Sequence, residues 1–450
     1  MKLAQMSIQQ LLNPSGYACP CGKTHTCTIR DVEIGHGVVV RTPHVLKKHG
    51  IRRPFIVCDA NTYQAAMEQV ENAMREAGME YTIYNFGQGH IEPDESAVGA
   101  LTMAFDKRCD AVLAVGSGVI NDCCKVLSHT LGIPMAVVAT APSMDGYASG
   151  TASMIQRRVK VSMSTGCAVA IIADTTIMKN APMRMLQAGF GDMIAKYCAL
   201  CEWRIASIVT GEVYCSEIAD MVRESLRQVV EAFDGLSDRN EEAVGKVVGG
   251  LILCGIAMAF SGLSRPASGQ EHYFSHMWEM MDLDRGNESE LHGIQVGVGT
   301  ILTLKVFDWL RSIKPDRDVA QRMMNGFSQD QWRQQVKRIF GKAAPVIIEG
   351  EESHYHKNSP ERHAKHFQTI LANWDTFLSI MQKELPDTHT LIDQMQQINM
   401  PVTPADIGIS DQDVQDSWLG SREIRDKYLC SSLAWDIGLM DEAVKVLLNA

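Results

Sequence analysis

The chain is expected to fold as an α/β nucleotide-binding domain over residues 1–182 followed by an all-helical domain over residues 183–450. Three observations predict this. Through the first half, short apolar runs rich in Val, Ile and Ala alternate with stretches of helical composition, the order that builds an open sheet covered by helices on both faces. One of those runs, residues 111–115, passes directly into Gly116-Ser117-Gly118, a strand-to-helix turn of the phosphate-binding kind. Beyond about residue 186, β-branched alternation becomes scarce and Ala, Met, Leu, Gln, Glu and Arg recur at helical spacing.

The elements follow in order. Val38-Val39-Val40 is a short β-branched run and is expected to be a strand. Residues 54–58 form a second apolar strand that stops at Asp59. Residues 62–77 have helical composition, and Gly78 supplies the stop. Residues 81–86 alternate as a strand, after which Pro93 and Asp94 open another helix. Residues 111–115 are apolar throughout, as a strand covered on both faces requires. A helix is expected over about 119–130, a strand over 135–138, and a polar loop from Thr140 to Gly150. The domain boundary falls near Pro182. Residues 1–30 form an extension rich in Cys and His.

Composition limits the function. The chain has 450 residues, 46% hydrophobic and 21% charged, an ordinary globular balance. At about 100–200 residues per domain it holds two or three domains. Its net charge of −11 excludes an extended nucleic-acid backbone as partner, which needs a basic face. It leaves room for a small anion held by a helix N-terminus or a local cation. No signal peptide is read at the start, so a cytoplasmic, reducing setting is expected. The thirteen cysteines are then mostly small buried hydrophobes. A long uncharged, mainly apolar stretch, residues 247–264, carries four glycines and is read as a buried helix rather than a membrane span.

Several groups carry candidate chemistry. Gly116, Ser117, Gly118, Asn121 and Asp122 could cradle a dinucleotide pyrophosphate; the alternative is a plain tight turn, because Asn at 121 breaks the full G-x-G-x-x-G pattern. Asp59, at a strand end, could accept from ribose hydroxyls, which favours NAD over NADP, or could simply cap the next helix. Ser143, Asp145 and Ser149 lie in the polar loop at a strand's carboxyl end, where open α/β sheets bind ligands; a surface loop with turn chemistry is the alternative.

Asp192, His272, His276 and His292 offer a carboxylate and imidazoles, a donor set for a divalent metal with an open position. Zinc, nickel, iron and cobalt all accept imidazole. His272 and His276, four apart on a helix, share one face. Two further groups compete. His354, His356, His363 and His366, among Lys357, Arg362 and Lys365, read as a solvated face. Cys19, Cys21, His25 and Cys27 offer four zinc ligands within nine residues, though the usual C-x₂-C spacing is missing and a reduced turn is the alternative.

Taken together, these motifs make the chain similar to the glycerol-1-phosphate dehydrogenases, within the broader iron-containing alcohol dehydrogenase and dehydroquinate synthase-like group. The resemblance rests on Gly116-Ser117-Gly118 with Asn121, Asp122 and Lys125, and on Thr140-Ala141-Pro142-Ser143-Met144-Asp145-Gly146-Tyr147-Ala148-Ser149. It continues through Ala188-Gly189-Phe190-Gly191-Asp192, Ser268-Gly269-Gln270-Glu271-His272 with Ser275-His276, His292-Gly293, and residues 424–428 and 433–439. It spans about residues 30–440. Val119 and Glu202 depart from the usual pattern, where Thr and Asp are common, and the N-terminal extension is one that many relatives lack.

The resemblance implies a dehydroquinate synthase-like fold and a metal-dependent reduction of dihydroxyacetone phosphate by NADH or NADPH to sn-glycerol 1-phosphate. It implies Asp192, His272 and His292 as ligands of one divalent metal, zinc first, with nickel or iron as alternatives. Asp145 and His276 then contact substrate and serve catalysis, with Asp192 beside them. The glycine loop, Thr140, Ser143 and Ser149 contact the nicotinamide cofactor. Lys125 is either a cation near that loop or a helix-surface residue. The implied partner is a small phosphorylated substrate, and the implied assembly is a homo-oligomer. Another polyol dehydrogenase, or a cyclising lyase of the same fold, is the alternative activity; a non-catalytic nucleotide- or metal-binding protein is the alternative from another class.

Overall fold

A computed structural model describes residues 2–157 and 159–448. The chain divides into two compact units. The first comprises Met1–Ile194, Cys215–Ala267 and Leu291–Ile294, and the second Ala195–Tyr214, Ser268–Glu290 and Gln295–Ala450.

The first unit is built on strands. In chain order these are β1 (Tyr17–Ala18), β2 (Thr24–His25), β3 (Asp31–Gly35), β4 (Pro54–Cys58), β5 (Thr82–Asn85), β6 (Ala111–Gly116), β7 (Met135–Ala139), β8 (Thr151–Gln156), β9 (Val159–Ser164) and β10 (Ala170–Asp174). β1 and β2 form an antiparallel hairpin, as do β8 and β9. The other six form one sheet in the order β3-β10-β7-β6-β4-β5, parallel throughout. β4, β6, β7 and β10 are fully buried along their length, which explains their unbroken apolar sequences. Val39, Leu46, Met67, Val70 and Met74 pack with Ile56, Leu113, Val115, Val138 and Ile172 into one core.

The strand order reverses at β4. β5 lies on one side of β4, and β6, β7 and β10 extend from the other. The loops that leave β4 and β6 at their carboxyl ends therefore flank a topological switch point, where such sheets bind ligands. Those loops begin with Asp59 and with Gly116-Ser117-Gly118.

Several expectations change. Val38–Arg41 is a 3-10 turn, not a strand. Gly37 precedes it in the left-handed region at φ 66°, and Asp174 accepts from the Val39 amide at 2.9 Å, so this run cannot join the ladder. The edge strand is instead Asp31–Gly35, where two charged residues hid the pattern. The β8–β9 hairpin and β10 follow the polar loop and were not anticipated.

Most of the long apolar stretch lies in the helix Glu241–Ser261, which packs within the first unit: Gly250 faces Met193 and Val229, and Gly255 faces Ala148. It is the one helix among the described residues long and apolar enough to cross a membrane, and 67% of its most apolar window is buried.

The second unit contains only helices among its described residues. One of its cores joins Met277 to Trp332, Val336, Phe340 and Ala344. The stretch read as a solvated face is one only in part: His354, His356 and Lys365 are exposed. His363 and His366 lie on the helix Pro360–Glu384 and are buried, with His363 Nε2 3.0 Å from the Asp436 carbonyl oxygen and His366 Nδ1 3.0 Å from its carboxylate. Lys357 is buried too, donating to the Arg422 carbonyl.

Candidate functional site

The turn after β6 has the form that a pyrophosphate needs. A Cβ on Gly116 would fall 2.7 Å from the Ile120 side chain, and one on Gly118 3.2 Å from Met144 Cε, so side chains there would fill the cradle. Ser117 is the N-cap of the helix Gly118–Leu131, yet its side chain makes no cap bond. Its hydroxyl lies instead 2.6 Å from Ser143 Oγ and 3.3 Å from Tyr147 OH. The leading amides of a fourteen-residue helix therefore lack a capping side chain. Asn121 is fully buried, and its Oδ1 has no partner among the described residues. These residues fit a dinucleotide.

Asp59 caps the helix that follows it, its Oδ1 accepting from Thr62 N at 2.7 Å. It stands at the same sheet edge as the glycine turn, on the neighbouring strand. Thr140 N donates to the Gly116 carbonyl at 3.2 Å, tying the loop after β7 to the glycine turn. Gly116, Ser117, Gly118, Asn121, Thr140 and Ser143 thus gather in one place. Asp122 and Ser149 are engaged elsewhere. Asp122 accepts from the Ser153 amide on β8 at 3.2 Å, and burial pushes its carboxyl above the usual range. Ser149 Oγ donates to Thr151 O at 2.9 Å.

Lys125 is not on the helix surface; its ammonium shares the Gly146 carbonyl with Asn121 Nδ2. It is 2% exposed, and its ammonium donates to Gly146 O at 2.6 Å, Thr151 O at 2.8 Å and Ser149 Oγ at 3.2 Å. Burial pushes its pKa down and Asp122 pulls it back up. It is a strap that holds the loop carrying Asp145.

The loop and the Asp192 helix meet closely. A Cβ on Gly189 would fall 1.8 Å from the Pro142 carbonyl oxygen, so only glycine lets the helix Met183–Ile194 lie on that loop. One turn further along the helix, Asp192 is fully buried, and its Oδ2 accepts from the Asp145 amide at 2.8 Å. A Cβ on Gly293 would fall 1.9 Å from the Ala188 carbonyl oxygen. The first turn of the helix His292–Leu310 therefore packs on the turn that precedes Asp192, which brings Asp145, Asp192 and His292 into one region of the first unit.

In the second unit, His272 and His276 lie on one face of the helix Gln270–Arg285. His272 Nδ1 lies 2.9 Å from Glu271 Oε1. A carboxylate can only accept, so the proton sits on Nδ1 and Nε2 holds the lone pair a metal would take. His276 Nδ1 lies 3.4 Å from Glu279 Oε2, and its ring meets Tyr273 edge-on at 5.9 Å. An Asp and two His, one of them backed by a carboxylate, make a donor set that fits zinc, nickel or iron.

Some contributors were missed from the sequence. Glu202 is buried and accepts at 3.1 Å from both Gln270 N and Cys430 N, the leading amides of two helices. Glu271 and Glu279 were within reach of inspection, one adjacent to His272 and the other three residues from His276. Tyr147 carried no signal beyond its place in the loop.

Comparison with known proteins follows the same lines. A family model described as iron-containing alcohol dehydrogenase matches residues 33–182. The glycerol-1-phosphate dehydrogenase (NAD(P)+) of Halalkalibacterium halodurans is 34% identical over 288 residues, 63% of this chain and 72% of that relative. That of Methanosarcina mazei is 35% identical over 277 residues, 61% of this chain and 76% of that relative. Among solved structures, a probable glycerol dehydrogenase from Sinorhizobium meliloti superposes with a TM-score of 0.61 at 14% identity, covering 94% of this chain and 97% of that one. An alcohol dehydrogenase from Oenococcus oeni gives 0.59 at 15% identity, covering 94% and 98%. These two share the fold. Through its curated relatives the chain belongs to the glycerol-1-phosphate dehydrogenase family, built on the iron-containing alcohol dehydrogenase fold.

Proposed function

We propose that this protein reduces dihydroxyacetone phosphate to sn-glycerol 1-phosphate with NADH or NADPH, using one divalent metal held by Asp192, His272 and His292. The observation that carries the reading is the 2.8 Å hydrogen bond from the Asp145 amide to Asp192. It couples the substrate-contacting loop to a metal-ligating carboxylate, so both are set by one piece of backbone. When bound, the metal acts as a Lewis acid on the C2 carbonyl, and the reduced nicotinamide supplies the hydride.

The chain's own residues do the rest. The glycine turn and the uncapped helix N-terminus hold the pyrophosphate. Asp59 binds ribose hydroxyls. Ser117 and Ser143, hydrogen-bonded to each other, fix the loop beside the nicotinamide. Asp145 binds a substrate hydroxyl. His276, steadied at Nδ1 by Glu279, holds the proton that the C2 oxygen takes up. The reading also makes the enzyme a cytoplasmic homo-oligomer, which light scattering on the purified protein tests.

The deciding experiment is an assay with dihydroxyacetone phosphate and each reduced nicotinamide, followed by the chirality of the product. Turnover to sn-glycerol 1-phosphate is expected. Turnover of glycerol or another polyol alone, or the opposite enantiomer, overturns the reading. His272→Ala is expected to lose the catalytic metal and at least about a hundredfold in turnover, since a Lewis acid contributes several kcal/mol to the barrier. Full activity in a metal-stripped His272→Ala would reject the mechanism.

A further inference from the structure

We propose a second metal site, a closed zinc site made by Cys19, Cys21, His25 and Cys215. The sequence pointed to the first three and to Cys27. The structure replaces Cys27, whose buried thiol turns toward the Ile29 carbonyl at 3.8 Å, with a cysteine 190 residues beyond His25. The four ligand atoms all lie within 4.8 Å of one another. Cys19 Sγ is 3.5 Å from Cys215 Sγ, and His25 Nε2 is 3.3 Å from Cys21 Sγ and 3.5 Å from Cys215 Sγ. Around a tetrahedral zinc with Zn–S of about 2.3 Å and Zn–N of about 2.0–2.1 Å, neighbouring ligand atoms stand about 3.5–3.8 Å apart. The three separations match those edges to about 0.3 Å, and the 4.8 Å limit keeps the other three pairs within about 1.3 Å of them.

The surroundings fit a ligand set. Cys19 and Cys21 sit in the turn of the β1–β2 hairpin, closed by Cys19 N to Lys23 O and Gly22 N to Cys19 O, both 2.9 Å. Gly22 takes a φ of 86°, the left-handed conformation that favours glycine in a tight turn. His25 is 1% exposed, and its Nδ1 lies 2.9 Å from the Phe260 carbonyl oxygen. A carbonyl only accepts, so Nδ1 carries the proton and Nε2 presents its lone pair to the thiols, the usual outer-shell arrangement of a zinc histidine. The ring stacks on Phe260 at 5.8 Å. Cys215 is the N-cap of the sixteen-residue helix Ser216–Glu231 and makes no side-chain cap bond. A thiolate there lies at the positive end of the helix.

Four protein ligands leave no open position, so this site is structural. It pins the N-terminal hairpin to the start of the helix Ser216–Glu231 and, through His25, to the end of the helix Glu241–Ser261.

The test uses the full chain, purified under reducing conditions and loaded with zinc or with cobalt(II). Wild type is expected to carry one more equivalent of zinc than Cys21→Ser, and its cobalt form to show thiolate-to-metal charge-transfer bands. Cys215→Ser is expected to weaken those bands in the same way. The catalytic donor set has no thiol, so the bands report this site alone. Equal zinc in wild type and Cys21→Ser, with no thiolate bands in the cobalt protein, overturns the proposal. So does a thiol count two short of thirteen in unreduced, denatured protein, which would mean that a disulfide occupies the cluster. If either variant fails to fold, the wild-type cobalt spectrum still decides.

Discussion

Lys125 shows how one residue can hold a loop in place. Its helix carries enough polar neighbours in sequence to suggest a solvated cation, yet the side chain runs inward and its ammonium meets three oxygens from Gly146, Ser149 and Thr151. A buried ammonium is tolerated only when such partners replace water. Lys125→Met keeps the length and removes the donors, leaving the Gly146 and Thr151 carbonyls without this bond. Ser149 still donates to both carbonyls, its amide to Gly146 and its hydroxyl to Thr151, so what is lost is hydrogen bonding from a charged donor, and a decrease of about 1.5–3 kcal/mol is expected in urea denaturation. Gly146 adjoins Asp145, so the Michaelis constant for dihydroxyacetone phosphate is expected to rise as well. A change below about 0.5 kcal/mol is what an exposed lysine would give, and would contradict this role.

Elements in the first unit are set by how closely backbones approach. The helix Glu241–Ser261 carries two informative glycines. At Gly255 a Cβ would fall 2.4 Å from Ala148 Cβ and 2.8 Å from its carbonyl carbon; at Gly249 its nearest neighbour would be Ile34 Cδ1 at 4.0 Å. Gly249→Ala is expected to be neutral or to stabilise by up to about 1 kcal/mol, through helix propensity alone. Gly255→Ala is expected to destabilise by about 1–3 kcal/mol through overpacking and to lower activity, because Ala148 lies in the loop that carries Asp145. Equal melting temperatures for the two variants would show that the loop yields freely. The strands β4, β6 and β7 were legible because full burial makes a strand apolar from end to end, and β5, only partly buried, through the alternation of residues 81–86. β3 was not, because Asp31 and Glu33 interrupt it, and Val38–Arg41 was misread because β-branched residues also fit a turn that Gly37 and Asp174 enforce.

At the scale of the whole molecule, sequence distance decides what could be read. The glycine turn and the polar loop are local, and their residues were legible as a group. Glu202 was seen only as a departure from Asp; its two helix amides lie 68 and 228 residues away. Cys215 was invisible as a zinc ligand for the same reason. His363 and His366 were misread because their sequence neighbours are charged, while the inner face of the helix Pro360–Glu384 packs them against Asp436 and Trp435. That burial has a consequence for pH. His363 stacks on Phe367 and meets Trp435 edge-on, and burial pushes its pKa below 6.5, with Asp436 pulling partly the other way. The folded protein therefore holds His363 neutral where the unfolded chain would protonate it. Above about pH 6.5 both states are neutral and this residue adds no pH dependence. As pH falls from there toward the depressed folded value, the unfolded state binds the extra proton, and stability declines by at most about 1.4 kcal/mol per pH unit. His363→Gln keeps a hydrogen-bond donor and cannot titrate. Between pH 7 and 5.5 its denaturation midpoint is expected to fall less than that of wild type, and parallel declines would show that His363 is not held neutral.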